Sequence, residues 1–281
     1  MSLPDVQAAQ DARNVAIPAV GISPVTLPLR FWDEAAGDEP VPIDASVSLF
    51  TDLAAEDKGI HMSRLIQILM ETVEQPVTAT QLLQWVRQAR ARLAANAAFT
   101  AVSFRYHLKK AAPVTGGPGY VPYMVRLLAG TVGDQTELGW QVAVPVTTLC
   151  PCSKAIADYG AHNQRGLITV AAQFSDSSHF PALASFVTDL EGLGSAPIYA
   201  LLKRPDEKWV TEQAYERPKF VEDVLRDAIL LLQSRTNIGW FAVRVANDES
   251  IHAHNAVACY DRSLASGNGN RPRIALWNGM L

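Results

Sequence analysis

Apolar residues along this chain follow two rhythms, one of period two and one of period three to four, and their alternation sketches the elements. Residues 47–53 read as a strand. Segments 63–75 and 79–95 read as helices divided by Pro76, with Leu82, Leu83, Val86 and Leu93 recurring at helical spacing. Next, Val102, Phe104, Tyr106 and Leu108 share one face while Ser103, Arg105, His107 and Lys109 share the other. A strand wet on one face points to an antiparallel sheet with helices on its covered side. Further strands are expected at 121–131, 138–147 and 167–174, joined by glycine-containing turns. Helices follow at 181–193, 207–215 and 218–233, with Pro218 suited to a first helical turn, and then strands at 240–246 and 254–261. The order strand, helices, strands occurs twice, which predicts an α+β fold of two similar halves without an obvious sequence repeat. Six of the 17 prolines fall in the first 42 residues, which read as an extended N-terminal arm. The folded unit is expected over 43–262, and a Gly/Asn-rich C-terminal tail over 263–281.

Composition narrows the function classes. With 24 Lys+Arg against 28 Asp+Glu in 281 residues, the net charge is −4, which leaves no electrostatic footprint for bulk nucleic acid. Three cysteines, two of them in C-P-C, do not make a disulfide framework. The charge-free window 138–153 is too short to span a membrane, and the N-terminus lacks the basic start of a secretory signal. The expectation is a soluble, cytoplasmic protein.

Candidate chemistry concentrates in 147–166, a loop-like stretch holding Cys150, Cys152 and His162. A thiolate and an imidazole suit zinc and other borderline divalent ions, while buried thiols beside a surface histidine are the plain alternative. Cys259 alternates with apolar neighbours in a predicted strand and reads as core. His252 and His254 form an H-x-H pair at the start of the last strand, where residues i and i+2 share a face. Side by side they could bind a metal or divide proton donation and acceptance. The charged run 203–208 has the composition of a solvated turn, and Glu222 and Arg226 are spaced as an ordinary helical pair. Before the first helix, Ser63 could cap while Lys58, His61 and Arg64 gather near an anion.

Six segments in order, G-I-H-M-S-R (59–64), P-V-T-T-L-C-P-C-S-K (145–154), D-Y-G-A-H-N-Q-R-G (158–166), L-K-R-P-D-E-K (202–208), K-F-V-E-D (219–223) and E-S-I-H-A-H (249–254), closely resemble the type IB GTP cyclohydrolase I family. The resemblance runs from about residue 53 to 260. It implies a tunnelling fold of two β-β-α-α-β-β units, assembled as a homotetramer with active sites at subunit interfaces. It also implies conversion of GTP and water to 7,8-dihydroneopterin triphosphate and formate, the first step towards tetrahydrofolate. By motif position, Cys150, His162 and Glu207 become the ligands of one divalent metal per active site, with Cys152 in a supporting place. Glu222 becomes the carboxylate that accepts the guanine N1–H and N2–H, and Cys150, His252 and His254 become the catalytic groups. His61, Ser63 and Arg64 are the nominees for the triphosphate. One thiolate, one imidazole and one carboxylate form a harder set than a Cys₂His site, so Mn²⁺ and Fe²⁺ stand beside Zn²⁺. Rival readings are another tunnelling-fold enzyme acting on a purine or pterin, or a non-catalytic purine-binding module with a structural metal.

Overall fold

The computed structural model describes residues 7, 9–37 and 39–265. The first half contains β1 (Ile17–Phe31), β2 (Val41–Leu53), α1 (Met62–Met70), β3 (Pro76–Val77), α2 (Ala79–Leu93), β4 (Ala97–Ala111) and β5 (Pro118–Val132). The second contains β6 (Gln135–Leu149), α3 (Pro151–Ile156), β7 (Asn163–Phe174), α4 (Leu183–Glu191), β8 (Ala196–Pro197), α5 (Arg204–Glu216), α6 (Val221–Gln233), β9 (Ile238–Asn247), β10 (Ala256–Asp261) and the short α7 (Arg262–Ala265). One sheet runs β10-β9-β7-β6-β5-β4-β2-β1-β3, with β8 attached to β6. All its long pairings are antiparallel. The halves join through the β5–β6 hairpin, where Val132 faces Gln135 and Gly133 takes a φ of 56°. That left-handed turn is easiest for glycine.

Alternation in the strands and helical spacing in α1, α2, α4 and α6 bury one continuous apolar layer. Val102, Phe104 and Tyr106 of β4 meet Leu82, Trp85 and Val86 of α2 there, and Val243 and Val245 of β9 lie in the same core as Val224 and Leu232 of α6. Trp140 anchors the second half among Phe174, Phe180 and Phe186.

Within the proline-rich segment, the expected arm contains a 15-residue strand, β1, paired with β2 along its length. Leu27, Leu29 and Phe31 are buried while Thr26, Pro28 and Arg30 are exposed, a plain period of two. Prolines survive in β1 because only two of its residues pair on the far side, with β3, so most of that edge needs no N–H donors. Gly21 is required by close approach, since a Cβ there would lie 2.1 Å from the Leu49 carbonyl oxygen. The sheet therefore begins well before residue 43. Past Ala265, the expected tail lies outside the described residues.

Smaller differences have local causes. Helix α1 ends at Met70 instead of 75, and α6 starts at Val221, so Pro218 precedes the helix and the Lys219 N–H donates to the Leu149 carbonyl at 3.0 Å. Ser63 lies inside α1, whose N-cap position is His61. Cys259 is exposed on β10, opposite Arg244, and is not core. Two elements of the second half, α3 and α5, have no counterpart in the first, and both carry candidate chemistry.

Candidate active site

Pairing registers divide the motif residues between the two ends of the sheet. Leu149 faces Asn163, and Gly166 faces Asn247, so Cys150, His162 and the turn after β9 share one end. The bond from Lys219 to Leu149 brings the start of α6, with Glu222, to this end as well. The tip of the β4–β5 hairpin also lies here, and it receives the start of α5 through Asp206.

Cys150 is the N-cap of α3, a turn that Pro151 favours at its first position. Its sulfur accepts from the Ser153 N–H at 3.4 Å. Its N–H donates to the His162 carbonyl at 3.1 Å, and the Ser153 hydroxyl accepts from the His162 N–H at 3.2 Å. These bonds close the loop between β6 and β7 and hold the backbones of Cys150 and His162 together. His162 Nδ1 lies 2.9 Å from Gln164 Oε1, and the buried Gln164 donates through Nε2 to Thr148 Oγ1 at 3.1 Å. With that amide orientation Nδ1 donates, leaving the Nε2 lone pair free for a ligand. Neither Gln164 nor Thr148 is among the residues the motifs nominate, although an amide two residues beyond a candidate ligand histidine on a strand is a readable signal.

His252 and His254 lie in the turn before β10 and not in the strand, which starts at Ala256. Their exposed rings stack all the same, with centroids 5.2 Å apart and planes at 19°. Ser250 Oγ lies 3.5 Å from His162 Nδ1, which ties this turn to the Cys150 and His162 loop. Glu222 is exposed in the first turn of α6 and has no hydrogen-bond or ion-pair partner among the described residues. Arg226 pairs with Asp223 at 3.0 Å instead, while Asp223 accepts from the Phe220 N–H. The expected Glu222 and Arg226 pair is absent.

The charged run 203–208 is not a solvated turn but the entry to α5, with Asp206 fully buried and Glu207 exposed beside it. Burial pushes the Asp206 carboxyl up, and hydrogen bonds from Thr115, Lys203 and Val114 outweigh it and hold the group well below the usual carboxylate range. No group of three His, Cys, Asp or Glu side chains among the described residues is close enough to hold a metal. Cys150 and His162 supply the donor types a borderline divalent metal takes, on one loop and with the His162 ring fixed by Gln164. Glu207 does not converge on them in this chain.

The triphosphate nominees occupy the other end of the sheet. His61 and Arg64 line a cavity of about 190 Å³ with Asp52, Asp57, Gly59 and Asn96, and Arg64 donates to the Arg92 carbonyl at 2.9 Å. Ala98 pairs with Thr51 and Thr131, and Thr131 faces Thr136, so this cavity is level with the start of β6, whereas Cys150 follows its end. Fifteen residues of β6 separate the two sets, about 45 Å at strand rise.

The family described as type I GTP cyclohydrolase FolE2 matches residues 3–258. This chain belongs to that family. GTP cyclohydrolase FolE2 of Syntrophobacter fumaroxidans is 41% identical over 261 residues, covering 92% of this chain and 99% of the relative. The FolE2 proteins of Desulfosudis oleivorans and Bordetella avium are 40% and 41% identical over 257 residues each, covering 90% and 91% of this chain and 96% and 95% of theirs. Among solved structures, a hyper-thermostable uricase variant superposes with a TM-score of 0.54 at 8% identity, covering 93% of this chain and 96% of that one. At that identity the likeness concerns fold alone, and the fold is the tunnelling fold: two β-β-α-α-β-β units in one antiparallel sheet. No helix among the described residues is long and apolar enough to cross a membrane.

Proposed function

We infer that this protein is a GTP cyclohydrolase, converting GTP to 7,8-dihydroneopterin triphosphate and formate at the head of tetrahydrofolate synthesis. Family membership carries the reaction; the observation that carries the site is the loop that holds Cys150 and His162 together, with the stacked His252 and His254 tied to it through Ser250.

Glu222, exposed in the first turn of α6, accepts the guanine N1–H and N2–H, a bidentate pairing that selects a 2-amino-6-oxo purine. Water adds at C8, and the two neighbouring imidazoles divide the proton traffic: one delivers a proton to a ring nitrogen as the imidazole ring of guanine opens, the other removes the proton lost by water. A second hydration releases formate, after which the ribose opens, rearranges and closes on the freed amine. Cys150 and His162 would hold a divalent ion, Mn²⁺, Fe²⁺ or Zn²⁺, with Glu207 named as third ligand by motif position alone; when bound, the ion supplies a Lewis acid that lowers the pKa of water to about 7. Gln164 keeps the His162 ring turned for that role.

The same proposal puts each site between chains of a homo-oligomer, a homotetramer in the family pattern. Two candidate sets about 45 Å apart along β6 cannot reach one nucleotide within a single chain. If His61, Ser63 and Arg64 of one copy face Cys150 and His162 of another, both sets serve one GTP. A cytoplasmic location goes with this reading.

Incubation with GTP and Mn²⁺ should yield formate and, after oxidation, a fluorescent pterin. Absence of product with Mn²⁺, Fe²⁺ and Zn²⁺ alike would overturn the assignment, and GTP binding without turnover in metal-replete protein would favour a purine-binding module.

A further inference from the structure

The long helices α1, α2, α4 and α6 pack on one face of the sheet, and on the opposite face one row of side chains is polar from strand to strand. Thr26 of β1 pairs with Ser46 of β2, Ser46 with Ser103 of β4, Ser103 with Arg126 of β5, and Arg126 with Gln141 of β6. Partners in register share a face, so the five side chains stand side by side. None of them makes a side-chain hydrogen bond or ion pair with another described residue. Two residues along the strands, Ala101 and Leu128 belong to a small buried apolar cluster, which places Arg126 at the border between an apolar and a polar patch.

Arg126 is half-buried there. Burial pulls its guanidinium below the ordinary arginine value, and no facing carboxylate opposes that pull. A guanidinium taken partly out of water without a counterion carries a free-energy cost that a bound anion would offset. Arg105 lies opposite Met124, which makes it the diagonal neighbour of Arg126, and it is exposed with no partner among the described residues. Diagonal neighbours on one face stand about 7–8 Å apart, within reach of a shared ligand for two long side chains. Beside them a cavity of about 520 Å³ is lined by Thr26, Asp44, Ser46, Ser103, Arg105 and His107. Asp44 is the one carboxylate in that lining, and it forms no ion pair with Arg105, so positive charge prevails.

This patch is separate from both sets of motif residues. Gln141 precedes Leu149 by eight residues of β6, about 26 Å at strand rise, and Ser103 lies five residues beyond Ala98, about 17 Å from the level of the His61 and Arg64 cavity. One guanidinium fork already fills a planar carboxylate, whereas two guanidinium groups with flanking hydroxyls and an amide match the larger set of acceptor oxygens on a phosphate or diphosphate. We propose that Arg126 and Arg105, with the hydroxyls of Ser46 and Ser103 and the amide of Gln141, form an anion site on the helix-free face that takes the phosphate groups of a small molecule.

The test is calorimetric titration of inorganic pyrophosphate into metal-stripped, full-length protein carrying Arg64→Glu, an exposed position, so that the other cationic cavity is silenced. Pyrophosphate should bind this protein, and adding Arg126→Gln or Arg105→Gln should each weaken binding by ~10-fold or more, the loss expected for a charge-assisted hydrogen bond. Arg126→Lys, which keeps the charge and loses the fork, should weaken it too. Lys109→Gln, on the same face of β4 but outside the row, should change it by less than twofold. Pyrophosphate should also raise the melting temperature of the Arg64→Glu protein and not of the protein that carries Arg126→Gln as well. If Arg126→Gln does not fold, Arg105→Gln decides, because that side chain is exposed. No binding to the Arg64→Glu protein, or unchanged affinity in either folded glutamine variant of the two arginines, would overturn the site. An equal loss in Lys109→Gln would overturn it as well, by showing only diffuse attraction to a basic face.

Discussion

At the scale of single residues, the site is governed by who holds whom. His162 can act as a ligand only if its ring is fixed and its Nε2 left bare, and Gln164, itself held by Thr148, does both. Gln164→Leu should therefore weaken metal binding by ~10–100-fold without removing any ligand, which chelator competition would measure. Cys150→Ala should abolish turnover; full activity in that variant would refute the ligand role. Glu222 has no partner to lose among the described residues, so Glu222→Gln should leave the fold's melting temperature nearly unchanged. Its effect should appear in selectivity. A charge-assisted hydrogen bond contributes about 1.5–3 kcal/mol, so the preference for GTP over ITP in kcat/KM should fall by about tenfold or more in Glu222→Gln. Elsewhere, burial first and then the hydrogen bond to the Glu191 carboxylate push the Tyr123 phenol up, and its hydroxyl donates to Glu191 at 2.6 Å.

At the scale of elements, β1 shows how a strand hides behind its prolines. Its inward residues are ordinary core: Phe31 packs against Phe104 at 4.9 Å and edge-on to Tyr106 at 5.9 Å between ring centroids. Phe31→Ala should cost about 3–5 kcal/mol, seen as a lower urea midpoint at unchanged slope. An arm lying outside the sheet would show almost no change. Period two is present in β1 from Val25 to Phe31, but Pro18, Pro24 and Pro28 argue against a central strand, and a sequence read alone does not say which strand is the edge. Likewise α5 was legible as a helix, yet the burial of Asp206 within a run of charges was not, because its partners at Val114 and Thr115 lie about 90 residues away. The H-x-H pair was expected to gain its geometry from strand alternation. A turn supplies the same stacked arrangement, so the side-by-side consequence held while the stated cause did not.

At the scale of the whole molecule, the doubled unit sets up a division of labour between the ends of one sheet. One end carries Cys150, His162, Glu222, His252 and His254, and the other carries His61 and Arg64. If active sites form between copies, Arg64→Glu and Cys150→Ala chains should each be inactive alone and should complement when mixed and reassembled. Random pairing leaves about a quarter of two-chain sites with both groups intact, and turnover should recover towards that level. No recovery in mixed oligomers would place both sets in separate functions.

From the sequence alone came the two-halved α+β order, the antiparallel sheet, and the six ordered motifs that point to the family and name its chemistry. These are local facts: side-chain periodicity reports which face is buried, and a motif preserves donor types at fixed spacing. Only the tertiary structure decided that the proline-rich segment joins the sheet, that Glu222 is free of Arg226, that Gln164 orients His162, and that Asp206 ties α5 to a distant hairpin. It also decided that the two sets of motif residues stand at opposite ends. Each depends on which strands are neighbours and in what register, and those long-range pairings leave no periodic trace in the chain.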